Sequence, residues 1–161
     1  MLMNNKMLVT ALMALTLNAC ATTPTPVTIS ETAAATPQLS TLTKLINDAG
    51  LTETLKEAGP YTVFAPTDEA FKAVPAKTLD ALAKDKALLI SVLTYHVVPG
   101  KVMAADVKNG PANTVQGAPV SLYRSGTFVT VESAVVTTAD LDASNGVVHI
   151  VDQVLIPPVK K

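Results

Sequence analysis

Tryptophan is absent from this chain of 161 residues, cysteine occurs once, histidine twice, and the formal net charge is only −1. A single cysteine excludes an intramolecular disulfide and a Cys-rich metal site, so the fold must stand on its apolar core. The near-zero charge provides no electrostatic footprint for nucleic acid, which calls for a basic domain. The chain has no G-x-S-x-G elbow, no H-E-x-x-H and no glycine-rich phosphate loop. A Ser-His-Asp set can be drawn through His96 or His149, but a chain with this many serines and aspartates always permits one, and catalysis needs a mutual geometry that spacing does not supply. No His/Cys/Asp spacing predicts that His96 and His149 converge with further metal ligands. The expectation is a protein without enzymatic activity, metal or cofactor.

What the chain does have is apolar residues, 48% of the total, in a length that allows one ordinary domain plus appendages. The first residues do not belong to that domain. Met1 to Lys6 ends in a positive charge, Met7 to Leu17 is uncharged and mostly apolar, and Leu17-Asn18-Ala19-Cys20 follows. The apolar run is too short to span a bilayer and reads as a secretory signal over 1–19. Leu17 and Ala19 resemble a lipobox, which makes Cys20 the candidate site of lipidation and the mature N-terminus, with Asn18 an unusual middle residue. Ordinary cleavage around Ala19-Cys20-Ala21 is the other reading and gives a soluble secreted protein. Acylation would hold the chain in the bacterial envelope by lipid alone. Residues 20–38 are rich in Thr, Ala and Pro, show no apolar period, and read as a stiff linker able to hold a domain up to ~50 Å from its anchor.

From Leu39 a helical period appears. Leu42, Leu45, Ile46 and Ala49 share a face, Ser40 is a plausible cap and Gly50 a stop. A shorter helix is expected over Leu51, Leu55 and Ala58. Tyr61-Thr62-Val63-Phe64 suits a strand buried on both faces, ended by Pro66, and Thr67 caps a helix with Asp68 and Glu69 against its positive end. Thr78 can cap a turn, and Asp85 a longer helix carrying Leu88, Leu89, Val92 and Leu93. Tyr95-His96-Val97-Val98 reads as β-rich. Strands then dominate: Val120–Tyr123, Thr127–Val131, Ala134–Thr137, Val147–Val151 and Val154–Ile156, with Asn145-Gly146 as a hairpin signal. Helices first and strands later predict an α+β domain over residues 39–158.

Two stretches, YTVFAPTDEAF at 61–71 and NGVVHIVDQVLIPP at 145–158, with Tyr95-His96 between them, resemble the fasciclin (FAS1) domain family. The resemblance covers essentially everything from Leu39 to Pro158. It implies a wedge-shaped β-sandwich with helices packed around it, on cell surfaces or in extracellular matrix and often serving adhesion. It also implies two candidate binding places. One is Tyr95-His96, although its β-rich apolar neighbours favour core packing over a binding role. The other is Thr138 to Asp142, where Asp140 and Leu141 match a family adhesion motif whose remaining residues are absent. His149 shares a strand face with Val147 and Val151 and is expected to be a hydrogen-bonded core residue. The expected function is a non-catalytic extracytoplasmic module attaching cells to a surface protein or glycan. The alternative is a periplasmic envelope lipoprotein that binds a glycan, lipid or partner protein without adhesion.

Overall fold

The computed structural model describes residues 27–57 and 59–158. The signal over 1–19, Cys20 and the linker up to residue 26 lie outside the described residues.

The domain is α+β, with its helices in the N-terminal half. Five helices, α1 (Ile29–Ala35), α2 (Ser40–Ala49), α3 (Asp68–Ala73), α4 (Ala76–Lys84) and α5 (Lys86–Tyr95), precede or flank the first strands. The strands are β1 (Tyr61–Pro66), β2 (Val97–Pro99), β3 (Gly110–Asn113), β4 (Pro119–Ser125), β5 (Phe128–Val131), β6 (Ala134–Ala143) and β7 (Gly146–Val151). They hydrogen-bond in the order β2-β1-β7-β6-β5-β4-β3, with β1 and β7 parallel and every other pair antiparallel. The sheet curls until its two ends meet, and Val115, just past β3, donates its N–H to the carbonyl of Val97 in β2 at 2.8 Å.

Two cores result. Val63, Ala65, Val148 and Ile150 face the helices and pack with Leu42, Ile46, Leu89, Val92 and Leu93. Phe64 and Val151, on the opposite face of β1 and β7, pack inside the curl with Val120, Leu122, Val129, Val131, Tyr95 and Leu155. Period-2 alternation therefore buries both faces of β1 and β7, as their uncharged sequences demand.

Several caps form as the sequence predicts. Gly50 closes α2 in the left-handed region at φ 76°. Thr67 accepts from Ala70 N–H, and Asp85 from Ala87 and Leu88 N–H. Other details differ. Ser40 is the first residue of α2 and does not cap it; the cap comes from Asp68 in α3, whose carboxylate accepts from Thr41 N–H and Ser40 Oγ, both at 2.7 Å. Only a 3₁₀ turn, Thr54–Lys56, forms where a second helix was expected, and α4 begins at Ala76 without a cap from Thr78. Tyr95 ends α5, and β2 starts at Val97. Val154–Ile156 is not a strand, whereas Gly110–Asn113 is.

The stretch expected as linker carries the largest difference. Residues 29–35 form α1, entered through a capping box between Thr28 and Glu31. The Thr28 backbone N–H, then its hydroxyl, bond the Glu31 carboxyl and hold it below its ordinary pKa. Ile29 and Ala33 are buried in the helix-side core. Asn145 locks the helix down: its Oδ1 accepts from Ile29 N–H at 2.9 Å, and its Nδ2 donates to the carbonyls of Leu55 at 2.6 Å and Glu57 at 3.1 Å. Seven residues are too few to hold a helix in isolation, so α1 exists because it is docked.

Candidate functional site

The four positions singled out in the sequence fall in two places that share no hydrogen-bond partner among the described contacts. Tyr95 and His96 are 3% and 2% exposed. The Tyr95 hydroxyl donates to the carbonyl of Pro119 at 3.3 Å, and burial, with the Glu132 carboxylate adding to it, raises its pKa. His96 Nδ1 lies 2.7 Å from the carbonyl of Val92, and Nε2 lies 2.9 Å from the N–H of Leu155. A carbonyl only accepts and an amide N–H only donates, so the ring is neutral with its proton on Nδ1. Burial lowers its pKa to about 4, although the Val92 carbonyl favours the charged form. A partner approaching the folded domain does not reach this imidazole. Its work is to hold Val154–Ile156 against the curl, where Leu155 enters the core.

That arrangement shapes the surface above it. Tyr95, Glu132, Ser133, Gln153, Leu155 and Ile156 line a groove of about 530 Å³, with Ile156 more than half exposed at its rim. The dipeptide thus supplies the groove's floor through Tyr95 and fixes its wall through His96. A separate apolar cavity beside Leu42, Ile46, Leu93 and Val97 holds only about 50 Å³, well short of the ~300 Å³ at which small-molecule sites begin.

Asp140 and Leu141 lie on the irregular part of β6. The register with β7 shifts twice, between Val136 and Thr138 and between Thr138 and Leu141, and Asp140 takes a positive φ of 58°. Such a bulge re-aims side chains. Here it turns the Asp140 carboxylate to the N–H of Ala104 at 2.7 Å, while its own N–H donates to His149 Nδ1 at 3.2 Å. His149 Nε2 lies 2.7 Å from the carbonyl of Val102, so this ring carries its proton on Nε2. The 4.0 Å between Nδ1 and the Asp140 carboxylate is therefore not an ion pair, because Nδ1 is already an acceptor. The same ring stacks on Phe64 with centroids 5.6 Å apart, as expected of a hydrogen-bonded core histidine. Lys101 pairs with Asp142 on the outside, and Leu141 is half-buried against the helix-side core.

The connection after β2 is consequently tied at every step. Thr62 Oγ1 donates to Gly100 O and accepts from Val102 N–H, His149 and Asp140 hold Val102 and Ala104, and Arg124 of β4 reaches the carbonyl of Ala105. No group of three or more His, Cys, Asp or Glu side chains able to hold a metal occurs among the described residues. The groove and the Asn145 lock were missed by sequence reasoning; the groove brings together Tyr95, Pro119, the Glu132-Ser133 pair and the stretch from Gln153 on, four separate segments that no local pattern announces.

An α+β domain with a curled seven-stranded sheet, a parallel β1–β7 pair and a buried Tyr-His dipeptide defines a recognisable class. Residues 37–157 match the fasciclin domain family, and the chain belongs to it. It is 45% identical over 141 residues to Protein sll1483 of Synechocystis sp., covering 86% of this chain and 78% of the relative. It is 38% identical over 137 residues to the cell surface glycolipoprotein MPB83 of Mycobacterium bovis, covering 82% of this chain and 61% of the relative. Among solved structures it resembles the FAS1 domain pair from the insect cell adhesion molecule fasciclin I, with a TM-score of 0.63 at 16% identity, over 81% of this chain and 51% of that one. At that identity the likeness is one of fold.

Proposed function

We propose that this protein is an exported, non-catalytic binding module, lipid-anchored through Cys20, that attaches its cell to a surface protein or glycan. The observation that carries the reading is the kinship with a cell surface glycolipoprotein over most of this chain, coupled to the lipobox-like Leu17-Asn18-Ala19-Cys20. The histidines support a non-catalytic role: all four ring nitrogens are engaged by backbone groups, which leaves none free to act as a general base. The groove between Glu132 and Ile156 is the contact surface this reading offers. A single module binds weakly, and many anchored copies on one surface supply avidity.

The test combines the mature N-terminus with attachment. Mass spectrometry should find a diacylglyceryl group on Cys20, protease added to intact cells should remove the domain, and a deletion strain should attach poorly. A mature chain starting at Thr22 overturns the anchor. Full protection from protease, with unaltered attachment in the deletion strain, overturns the adhesion role.

A further inference from the structure

The docking of α1 changes how far the domain can stand from a membrane. Val27 already belongs to it, its carbonyl accepting the N–H of Ser144 at 2.8 Å. From Cys20 to Val27 the chain has seven peptide steps, which reach at most about 25 Å fully extended. A chain held by lipid on Cys20 would therefore keep the Val27 side of the domain within about 25 Å of the bilayer.

The topology identifies that side. Strands β4 and β6 are each antiparallel to β5, so they run the same way; the pairs Ser125–Phe128 and Thr130–Val135 set the end of β4 level with the middle of β6, which runs on in the same direction to Ala143. Ser144, which holds Val27, follows Ala143 directly. Side-chain contacts close the two halves of this end together: Asp140 holds Ala104, and Arg124 holds the adjacent Ala105. The tip of the β4–β5 hairpin therefore shares an end with the point where the tether leaves.

Two aromatic side chains flank the polar turn Arg124-Ser125-Gly126-Thr127 at that tip. Tyr123 and Phe128 are 55% and 69% exposed, and Tyr123 opposite Thr130 makes Phe128 its diagonal neighbour on the same outward face. Together with Val27 they account for three of the five large apolar residues exposed among those described. Nearby charges balance, with Lys101, Lys108 and Arg124 set against Asp106, Asp140 and Asp142, so nothing selects an anionic lipid. Amphipathic and aromatic side chains held at a fixed height favour the headgroup region.

We propose that the β4–β5 tip is a membrane-contact surface, Tyr123 and Phe128 lying among the lipid headgroups when the chain is held by lipid on Cys20. The proposal rests on the anchor reading given above. The absence of tryptophan provides a clean reporter, since Phe128→Trp places one indole at the tip of an otherwise indole-free chain. The lipidated full-length variant is reconstituted in phosphatidylcholine vesicles, with and without brominated phosphatidylcholine. Expected are a blue-shifted emission that bromine quenches, no dependence on salt, and loss of both signals when Tyr123→Ser is added or detergent replaces the vesicles. Circular dichroism matched to the parent chain shows that each variant is folded. A chain that does not float with vesicles overturns the anchor reading and this proposal with it. A chain that floats while its indole is neither shifted nor quenched overturns this proposal alone. A shift that grows with protein concentration in the absence of vesicles assigns the tip to a second copy, and also overturns it.

Discussion

Leu155 donates its backbone N–H to Nε2 of His96 at 2.9 Å, across 59 residues of chain. The bond exists only while the ring is neutral, because a protonated imidazole has no acceptor.

Stability should therefore fall in mild acid in a way traceable to this one ring. Its folded pKa of about 4 lies below the ordinary 6.5, so the unfolded state binds the proton more tightly. The contribution is fully present above 6.5 and disappears as pH drops towards 4. At about 1.4 kcal/mol per pH unit the whole effect is about 3 kcal/mol. Urea denaturation from pH 7 to 4 should show it as a slope that a His96→Ala variant lacks, measured against that variant's own lower baseline.

The two histidines should be opposite tautomers. Nitrogen-15 spectra are expected to place the proton of His96 on Nδ1 and that of His149 on Nε2 at neutral pH. Matching tautomers would contradict the hydrogen-bond assignment of whichever ring departs.

Asp68 should matter to a helix it does not belong to. Its carboxylate is partly desolvated, which works against ionisation, yet the bonds from Ser40 and Thr41 prevail and hold its pKa down. Asp68→Ala should cost about 1–2 kcal/mol, the range of a lost helix cap, and Asp68→Asn less, since one acceptor remains. The advantage of the native residue is present above the ordinary carboxylate range and is lost as pH falls through the lowered folded value. Loss of amide protection at the start of α2, with α3 unaffected, would separate capping from damage to α3.

Asn145→Ala removes three hydrogen bonds and should cost about 2–3 kcal/mol. Hydrogen exchange should show α1 opening before the sheet, because nothing local sustains a seven-residue helix. If α1 keeps its protection, the lock is not what docks it.

Gly146→Ala is expected to be the most damaging small change. A Cβ there would sit 1.9 Å from the carbonyl oxygen of Tyr61, so β1 and β7 must separate along their register. A loss above about 4 kcal/mol, or failure to accumulate as soluble protein, is the expected outcome.

What the chain disclosed in advance was whatever its neighbours in sequence determine. The stop at Pro66, the caps at Thr67 and Asp85 and the left-handed Gly50 depend on residues within one turn, and each formed. The alternation of Val147 to Val151 likewise placed His149 on its correct face. Contacts between distant segments were hidden. Tyr95 stays helical against its β propensity because the ring gains burial and a bond to Pro119. Gly110-Pro111-Ala112-Asn113 has a loop's composition but finds a partner in β4. The one local signal passed over was Thr28-x-x-Glu31, a capping box spelled out in a stretch that its prolines and threonines made look like linker. Of the candidate binding residues, Asp140 is exposed with its carboxylate bonded to Ala104, Tyr95 is buried yet floors the groove, and His96 reaches the surface only through Leu155, which it holds.

The meeting of the sheet's two ends at Val97 and Val115 also bears on crowding. A free strand edge is a template for pairing with the next molecule, and lipid-held copies would meet one another continually in two dimensions. Here the outermost strands are three and four residues long, each carries a proline, Pro99 or Pro111, and they lean on one another. Short strands that carry proline and lean on one another offer a neighbouring copy little edge to pair with.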